Sequence, residues 1–147
     1  MRILLVATPV GPLGSGIGGG VELTLHSLVL GLTAVGHDVE VAAPAGSLLV
    51  GQRTHQIPGA LQPSSQHTGR DAPVELPVDS VLAAMWTFVR EHQSDYDVVV
   101  NMAYDWLPLY LTPFLEVPVA QLVSMGSLSD AIDAALVDVL AARPGSS

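Results

Sequence analysis

The chain has 147 residues, a length that suits one domain, and 49% of them are hydrophobic. Its formal net charge is −9, it contains no lysine, and its five arginines are scattered, whereas nucleic acid and anionic membrane surfaces are bound by clustered cations. We therefore expect neither as a partner, and because no apolar run approaches the ~20 residues of a membrane-spanning helix we expect no transmembrane segment. Cysteine is absent, which excludes disulfides and thiolate chemistry, and we predict a cytoplasmic location.

The first third of the chain predicts a strand, a helix and a second strand. Arg2–Ala7 is a continuous apolar run, typical of a strand that is covered on both faces. Val21–Val35 has helical spacing, and Gly36 stands where a helix often ends on glycine. Asp38–Ala43 is the second predicted strand. The residues expected on the buried face of the helix are Val21, Leu25, Leu28, Leu32 and Val35.

The middle of the chain is less regular. Residues 46–77 contain four prolines and a polar stretch, with a short strand predicted around His55–Ile57. A loop of this length in a compact domain is usually functional or mobile. Asp79 or Ser80 is expected to cap a helix that runs to His92. Its predicted inward residues are Val81, Leu82, Met85, Trp86 and Val89.

In the last third of the chain, predicted strands again alternate with predicted helices. Asp97–Val100 and Val119–Val123 are predicted strands, and Asp105 is expected to cap a helix that begins at Trp106. A final helix is predicted after a capping sequence at residues 127–130, and residues 143–147 are typical of a linker. Its expected aligned residues are Leu128, Ile132, Leu136 and Leu140.

This order of elements predicts the α/β class. Strands that alternate with helices form a parallel sheet with helices on both faces, a Rossmann-like fold. The loops that follow the strands would then meet at one edge of the sheet. The residues expected near the carboxyl ends of the strands are Ala7, Ala43, Val100 and Val123.

A glycine-rich loop lies between the first strand and the first helix. Glycines let a ligand approach the backbone closely, and a helix N-terminus offers N–H groups and positive potential, so the loop is a candidate diphosphate site. The alternative is a flexible surface loop. The residues predicted to bind the diphosphate are Gly16, Gly18, Gly19 and Gly20.

Two better-known phosphate motifs do not fit this loop. Gly14, Gly16 and Gly19 formally match G-x-G-x-x-G, but residues 9–13 separate the match from the strand, and the second strand ends without the acidic residue that holds a ribose. A P-loop requires a lysine, which the chain lacks. We therefore predict neither a dinucleotide cofactor nor any other cofactor.

Two further loops at the same predicted edge carry polar side chains. They are candidates for binding an acceptor or a sugar, although Asp105 could equally be a helix cap and residues 124–127 a plain turn. Glu22, at the start of the first helix, belongs with them through the resemblance described below. The loop residues are Asn101, Tyr104, Asp105, Ser124, Met125, Gly126 and Ser127.

No metal site is expected. Asp95-Tyr96-Asp97 imitates a D-x-D motif, but it precedes a strand and so belongs at the amino edge of the sheet, where a solvated turn is the simpler interpretation. The histidines show no metal-ligand spacing. No catalytic residue, and in particular no general base, is identified from the sequence.

The motifs in their order resemble the opening of family-4 glycosyltransferases, which are retaining enzymes of the GT-B fold. The resemblance rests on Arg2–Val6, on Gly18-Gly19-Gly20-Val21-Glu22, on Gly36-His37-Asp38-Val39, on Tyr96–Val99 and on Val117-Pro118-Val119. Thr8–Gly16 and Ser124–Ser127 are most similar to the cyanobacterial UDP-glucose:tetrahydrobiopterin glucosyltransferases. Most members of the family have a histidine at the position of Met125, where it helps to bind the donor sugar.

The resemblance implies that the complete enzyme has two domains with different ligands. Residues 1–147 would be the N-terminal, acceptor-side domain, and the C-terminal domain that binds most of the nucleotide sugar would be absent. The expected function is transfer of a hexose, glucose, from a nucleotide sugar such as UDP-glucose to a small-molecule acceptor such as tetrahydrobiopterin, with no turnover by the isolated chain. The alternative is a stand-alone Rossmann-like nucleotide-binding or interaction module without catalysis.

Overall fold

The computed structural model describes residues 1–142, so the predicted linker at 143–147 lies outside the described residues. Five strands form one sheet in the order β3-β2-β1-β4-β5, and every neighbouring pair is parallel. The strands are β1 (Arg2–Val6), β2 (Asp38–Pro44), β3 (Arg53–Ile57), β4 (Val98–Asn101) and β5 (Val119–Gln121). The helices are α1 (Gly19–Ala34), α2 (Val81–His92), α3 (Trp106–Leu111) and α4 (Asp130–Ala142).

Both faces of the sheet are covered, which confirms the predicted fold class. α1 packs on the face that presents Leu5 and Val41, while α2 packs on the face that presents Leu4 and Val6. Leu4, Leu5 and Val6 are fully buried, as expected for the middle strand of a two-sided sheet. Among the described residues, no helix is long and apolar enough to cross a membrane.

α1 ends as its sequence predicts, but its buried face differs. Gly36 has φ +90°, and the His37 N–H donates to the Leu32 carbonyl at 3.0 Å, which is the closing bond of a Schellman motif. Leu25 and Val29 are the buried residues of this helix. Val35, predicted to be on the buried face, is 72% exposed because the motif turns the chain away from the sheet there.

α2 matches its prediction residue by residue, since all five predicted inward side chains are buried. Ser80 is the cap, and its Oγ accepts the N–H of Ala83 at 3.2 Å. Asp79, the alternative cap, has φ +57° and ends the preceding loop instead.

The last helix packs on α3 rather than directly on the sheet. The predicted stripe of leucines on α4 is wrong in part, because Leu140 is 55% exposed and Leu128 lies before the helix. Ile132, Ala135 and Val139 instead form a small cluster with Leu109 of α3. β5 is also shorter than predicted and ends at Gln121.

A buried carboxylate links β2, β3 and the turn before β4, and no local pattern in the sequence predicts it. Glu40 is 4% exposed, and one of its oxygens lies 2.6 Å from His55 Nε2 and 2.8 Å from the hydroxyl of Tyr96, which donates to it. Arg53 donates to the other oxygen at 3.0 Å. Burial alone would raise the pKa of Glu40, but these hydrogen bonds from His55, Tyr96 and Arg53 together lower it below the ordinary value.

This network predicts an acid-sensitive contribution to stability. A carboxyl whose pKa is lowered by folding stabilises the fold above its unfolded pKa of about 4.5, and that contribution is lost as the pH falls through the lower folded value. Replacing Glu40 by Gln should therefore lower the free energy of unfolding by about 3 kcal/mol at pH 7. Urea unfolding of both proteins at pH 7 and pH 3 measures this. The same difference at both pH values would contradict it.

Candidate functional site

The strand order places a topological switch between β1 and β4. The connection from β1 leads through α1 to β2 on one side, and β4 pairs with β1 on the other. In open parallel sheets, ligands bind outside the carboxyl ends of the strands at such a switch point. The glycine-rich loop follows β1 and residues 102–105 follow β4, so both predicted loops lie at this point of the sheet.

The glycine-rich loop is anchored at Leu13 and Gly14. Leu13 is buried, and its N–H donates to Ser47 Oγ at 2.8 Å while its carbonyl accepts the N–H of Leu48 at 3.0 Å. Further along, the N–H of Gly14 donates to Glu22 Oε1. The segment Gly14–Gly20, which we call the arch, is therefore largely exposed to solvent but held in place where it begins.

Positive φ angles explain several of the glycines in this arch. Gly14, Gly16 and Gly19 have φ of +88°, +79° and +56°, which residues with a Cβ rarely adopt. Gly20 is exposed at the start of α1 and a Cβ there would meet nothing within 4 Å. The N–H of Gly19 donates to the Gly16 carbonyl at 3.3 Å. Since the first N–H groups of a helix lack intrahelical partners, the next amides, those of Gly20 and Val21, are available to an anion.

A cleft of about 80 Å³ lies where these loops meet, which we call the switch-point cleft. One wall is formed by residues 8–10 and by the arch with the start of α1, and another by residues 102–105. Ser64–Gln66 and Met125 complete it. The cleft thus brings together four predicted site residues. They are Gly18, Tyr104, Asp105 and Met125.

The other predicted residues do not line this cleft, and some of them are fully engaged within the fold. Asn101 is 2% exposed, and its side-chain amide binds Ala103 and Gln121 at 2.8 Å each, so it shapes the turn after β4 rather than facing a ligand. Ser127 accepts from Arg70 at 2.8 Å and donates to Asp133 at 2.5 Å. The following predicted residues are exposed and do not line the cleft: Gly16, Gly19, Gly20, Ser124 and Gly126.

The Glu22 side chain packs against the backbone of the arch at Gly14 and Gly18. One of its oxygens binds Gly14, and the other, Oε2, is buried without a hydrogen-bond partner among the described residues. A Cβ on Gly18 would lie 3.3 Å from that oxygen, so the Gly18 backbone passes directly over the carboxylate. Glu22 therefore holds the arch against the start of α1.

A second and larger cleft, of about 370 Å³, adjoins the first, and we call it the outer cleft. It lies between the segment 62–77 and the first residues of α3 and α4. Asp105 lines both clefts and so stands at their junction. Trp106 and Glu75 also line the outer cleft, and no basic side chain lines either one within the described part of the chain.

The segment 62–77 is held over this edge of the sheet at several points. The Gln62 N–H donates to Pro9 at 3.1 Å, and Ser65 Oγ donates to the carbonyl of Tyr104 at 2.7 Å. Arg70 pairs with Asp130 at 2.7 Å and Asp133 at 3.1 Å on α4. The sequence predicts a long, irregular loop here. It does not predict the partners of Gln62 and Arg70, because these are distant from them in the sequence and no local pattern indicates such contacts.

Asp105 directly precedes α3, as predicted, but its side chain does not act as the predicted cap. It makes no capping hydrogen bond of standard geometry, and Oδ2 instead accepts from Gln62 Nε2 at 3.1 Å. Burial raises the pKa of Asp105 to about 6, only partly offset by hydrogen bonds from the backbone of Trp106 and from Gln62. At neutral pH this is an ionised carboxylate in a largely desolvated place with no cation beside it.

The described part of the chain offers no cluster of metal ligands. Among residues 1–142, no group of three or more histidine, aspartate or glutamate side chains could hold a metal ion. Asp97, from the D-x-D sequence, accepts the backbone N–H of Arg2 at 2.6 Å at the amino edge of the sheet. Its role there is to fix the start of β1.

Comparison with known proteins identifies the fold. No family model and no curated protein matches the sequence. Among solved structures, the chain is similar to the Streptomyces sp. SF2575 glycosyltransferase SsfS6 complexed with thymidine diphosphate, with 20% identity and a TM-score of 0.53 over 96% of this chain and 43% of that one. The spinosyn forosaminyltransferase SpnP shows 19% identity and a TM-score of 0.47 over 82% of this chain and 30% of that one.

The likeness to SsfS6 confirms the predicted GT-B fold over part of the length of that structure. The chain spans less than half of SsfS6, and at this identity the likeness establishes the fold alone. The Rossmann-like sheet is thus the fold of one region of a glycosyltransferase structure.

The position of Asp105 predicts an unusual pH dependence of stability. A carboxyl whose pKa rises on folding, here from 3.8 to about 6, destabilises the folded state as the pH rises through that window. Asp105→Asn should therefore be more stable than the parent above pH 6 and lose that advantage at pH 4. Thermal unfolding across pH 4–8 measures it. An unfolding difference that does not change with pH would show that Asp105 titrates normally.

Proposed function

We propose that this chain is the acceptor-side domain of a GT-B glycosyltransferase and that the arch Gly14–Gly20 binds the diphosphate of a nucleotide sugar. The observation that carries the proposal is the position of the arch at the β1–β4 switch point, at the N-terminus of α1 and beside a cleft. An exposed helix N-terminus with glycines around it is suited to a diphosphate, because backbone N–H groups can reach the oxygens without steric hindrance.

In this role the protein supplies positioning and charge stabilisation. The amides around Gly20 would stabilise the negative charge that develops on the leaving diphosphate. The arch is anchored at Leu13 and Gly14, so these amides need little reorganisation when the ligand arrives. A second domain would supply the remaining contacts to the nucleotide.

The finer part of the proposal rests on the sequence resemblance. It assigns the chain to the retaining family-4 enzymes, with UDP-glucose as the donor and a tetrahydrobiopterin-like small molecule as the acceptor. Ser124 and Gly126, which are exposed, and Met125, which is half-buried, would lie near the donor sugar. The outer cleft, which opens next to Asp105, offers the space for an acceptor.

A stand-alone nucleotide-binding module remains the second candidate. It shares the diphosphate site and differs only in catalysis. Sugar transfer measured on a protein that carries this domain together with a second Rossmann-like domain separates the two candidates.

The proposal predicts that a side chain at Gly20 blocks the donor. Gly20→Val should weaken binding of UDP-glucose at least tenfold, about 1.4 kcal/mol, because the added side chain covers the amides at the start of α1. Isothermal titration of this chain with UDP-glucose measures the effect.

Gly31→Val is the matched control. Gly31 lies in the same helix, is exposed, and like Gly20 has nothing within 4 Å of an added Cβ. The same substitution there should leave donor binding unchanged, and both variants should keep the thermal midpoint within a few degrees of the parent. Equal donor affinity for the two variants would overturn the proposed diphosphate site.

A further inference from the structure

The outer face of α1 is apolar and carries no charge. Apart from His26, Glu22 is the only ionisable residue of this helix, and no further aspartate, glutamate or arginine follows until Asp38. Leu23 and Leu30 are 72% and 58% exposed, whereas a helix that is apolar on all sides is usually covered on all sides. The sheet covers one side of α1, so its outer side has the character of an interface.

Four exposed residues of α1 form a line along this face, which we call the α1 seam. Their spacing of four, three and four residues is the one that brings successive side chains of a helix into a single line facing another helix. Large and small side chains alternate along the line. The residues of the α1 seam are Leu23, Ser27, Leu30 and Ala34.

This alternation makes the α1 seam complementary to itself in one orientation. When two copies pack α1 against α1 about a two-fold axis perpendicular to both helices, the helices run antiparallel. With the axis midway between Ser27 and Leu30, Ser27 faces the partner's Leu30, and Leu23 faces the partner's Ala34. Every large side chain then meets a small one, as close helix packing requires. A parallel pair would instead set leucine against leucine and serine against serine.

A groove of about 280 Å³ borders the α1 seam, between the second half of α1 and residues 49–52. The connection between β2 and β3, residues 45–52, contains no helix and no charged residue. Val50 projects from it and is fully exposed. The uncharged apolar surface therefore continues from the seam across the groove, and it offers both projecting side chains and a hollow to a second copy of itself.

The position of the α1 seam and its lack of charge favour a second copy over other partners. α1 begins at the carboxyl edge of the sheet, where the clefts lie, and its second half runs toward the amino edge, where β2 begins. A second domain that shares a ligand with this one would lie over the clefts and not along the seam. The chain carries a net charge of −9, so two copies repel each other except where uncharged surfaces meet.

We propose that this chain forms a two-fold symmetric dimer in which the α1 seams of the two copies pack antiparallel. Leu30 of each copy lies over the partner's Ser27, and Leu23 lies over the partner's Ala34. The positive N-terminal end of each α1 lies beside the negative C-terminal end of the other, which adds to the stability of the pair. The two arches lie at opposite ends of the helix pair.

Sedimentation equilibrium of this chain measures the association. Between about 1 µM and about 500 µM, which brackets the dissociation constants of weak to moderate interfaces, the mass should rise from the monomer value of 15.3 kDa to twice that value. Higher salt should strengthen the dimer, because it screens the repulsion between two acidic chains and the seam contains no ion pair to weaken. A monomer at all concentrations, or a dimer that salt weakens, would overturn the proposal.

A charge placed in the α1 seam tests the position of the interface. Leu30→Asp should raise the dissociation constant at least tenfold, because the new carboxylate would be desolvated without a partner. Leu140→Asp is the matched control, since Leu140 is 55% exposed on α4 and the substitution changes the net charge equally. It should leave the dissociation constant unchanged. Equal effects of the two variants would show that the interface lies elsewhere.

An exchange of two seam residues tests the antiparallel pairing. Ser27→Leu should weaken the dimer by setting two leucines against each other, and Leu30→Ser by removing a leucine from each side of the seam. The double variant restores a large side chain opposite a small one, so its dissociation constant should return to within roughly threefold of the parent value. Both positions are exposed in the single chain, and far-UV circular dichroism checks that the variants fold. A double variant no tighter than the weaker single variant would contradict the pairing.

Discussion

The parallel pairing of β1 on both sides is the constraint on which the site depends. Leu4, Leu5 and Val6 are fully buried because β2 and β4 flank this strand and helices cover both of its faces. Since all strands run in the same direction, the chain must leave each of them at the same edge. The arch, the turn after β4 and the loop after β5 therefore converge, although they are far apart in the sequence.

The two clefts at this edge differ in chemistry. The arch side offers backbone N–H groups and the positive end of α1, which suits an anion. The outer cleft is lined by the acidic residues Glu75 and Asp105, which does not favour an anion. Asp105 stands at their junction and separates the two environments, so the donor and the acceptor in the proposed reaction would meet beside it.

Periodicity predicted the architecture well because burial on regular elements leaves a local signal. All five inward residues of α2 follow from their spacing, and Gly36 follows from the need for a positive φ at the end of α1. Hydrophobic periodicity did not predict the burial of residues whose environment is set by contacts between distant parts of the chain. Val35 is turned outward by the same motif that Gly36 closes. Glu40 lies in an apolar strand, and its burial depends on partners distant in the sequence, His55, Tyr96 and Arg53.

The candidate site was predictable to a similar degree. Glycines that precede a helix are a local signal, and three of them have the positive φ that their position suggests. The role of Asn101 was not predictable, because its polar side chain at a strand end looks the same whether it faces a ligand or the turn beneath it. The contribution of the segment 62–77 depends on long-range contacts such as the one between Arg70 and Asp130.

The central claim is that a diphosphate binds at the switch point, and locating that ligand on the chain tests it most directly. Amide signals of the isotope-labelled chain can be followed by NMR while UDP is added, with uridine as the control that lacks the diphosphate. The account predicts that UDP, and not uridine, shifts the amides of residues 14–22 and of the turn 102–105. Equal shifts with both compounds, or UDP-specific shifts confined to the amino edge around Asp97, would contradict it.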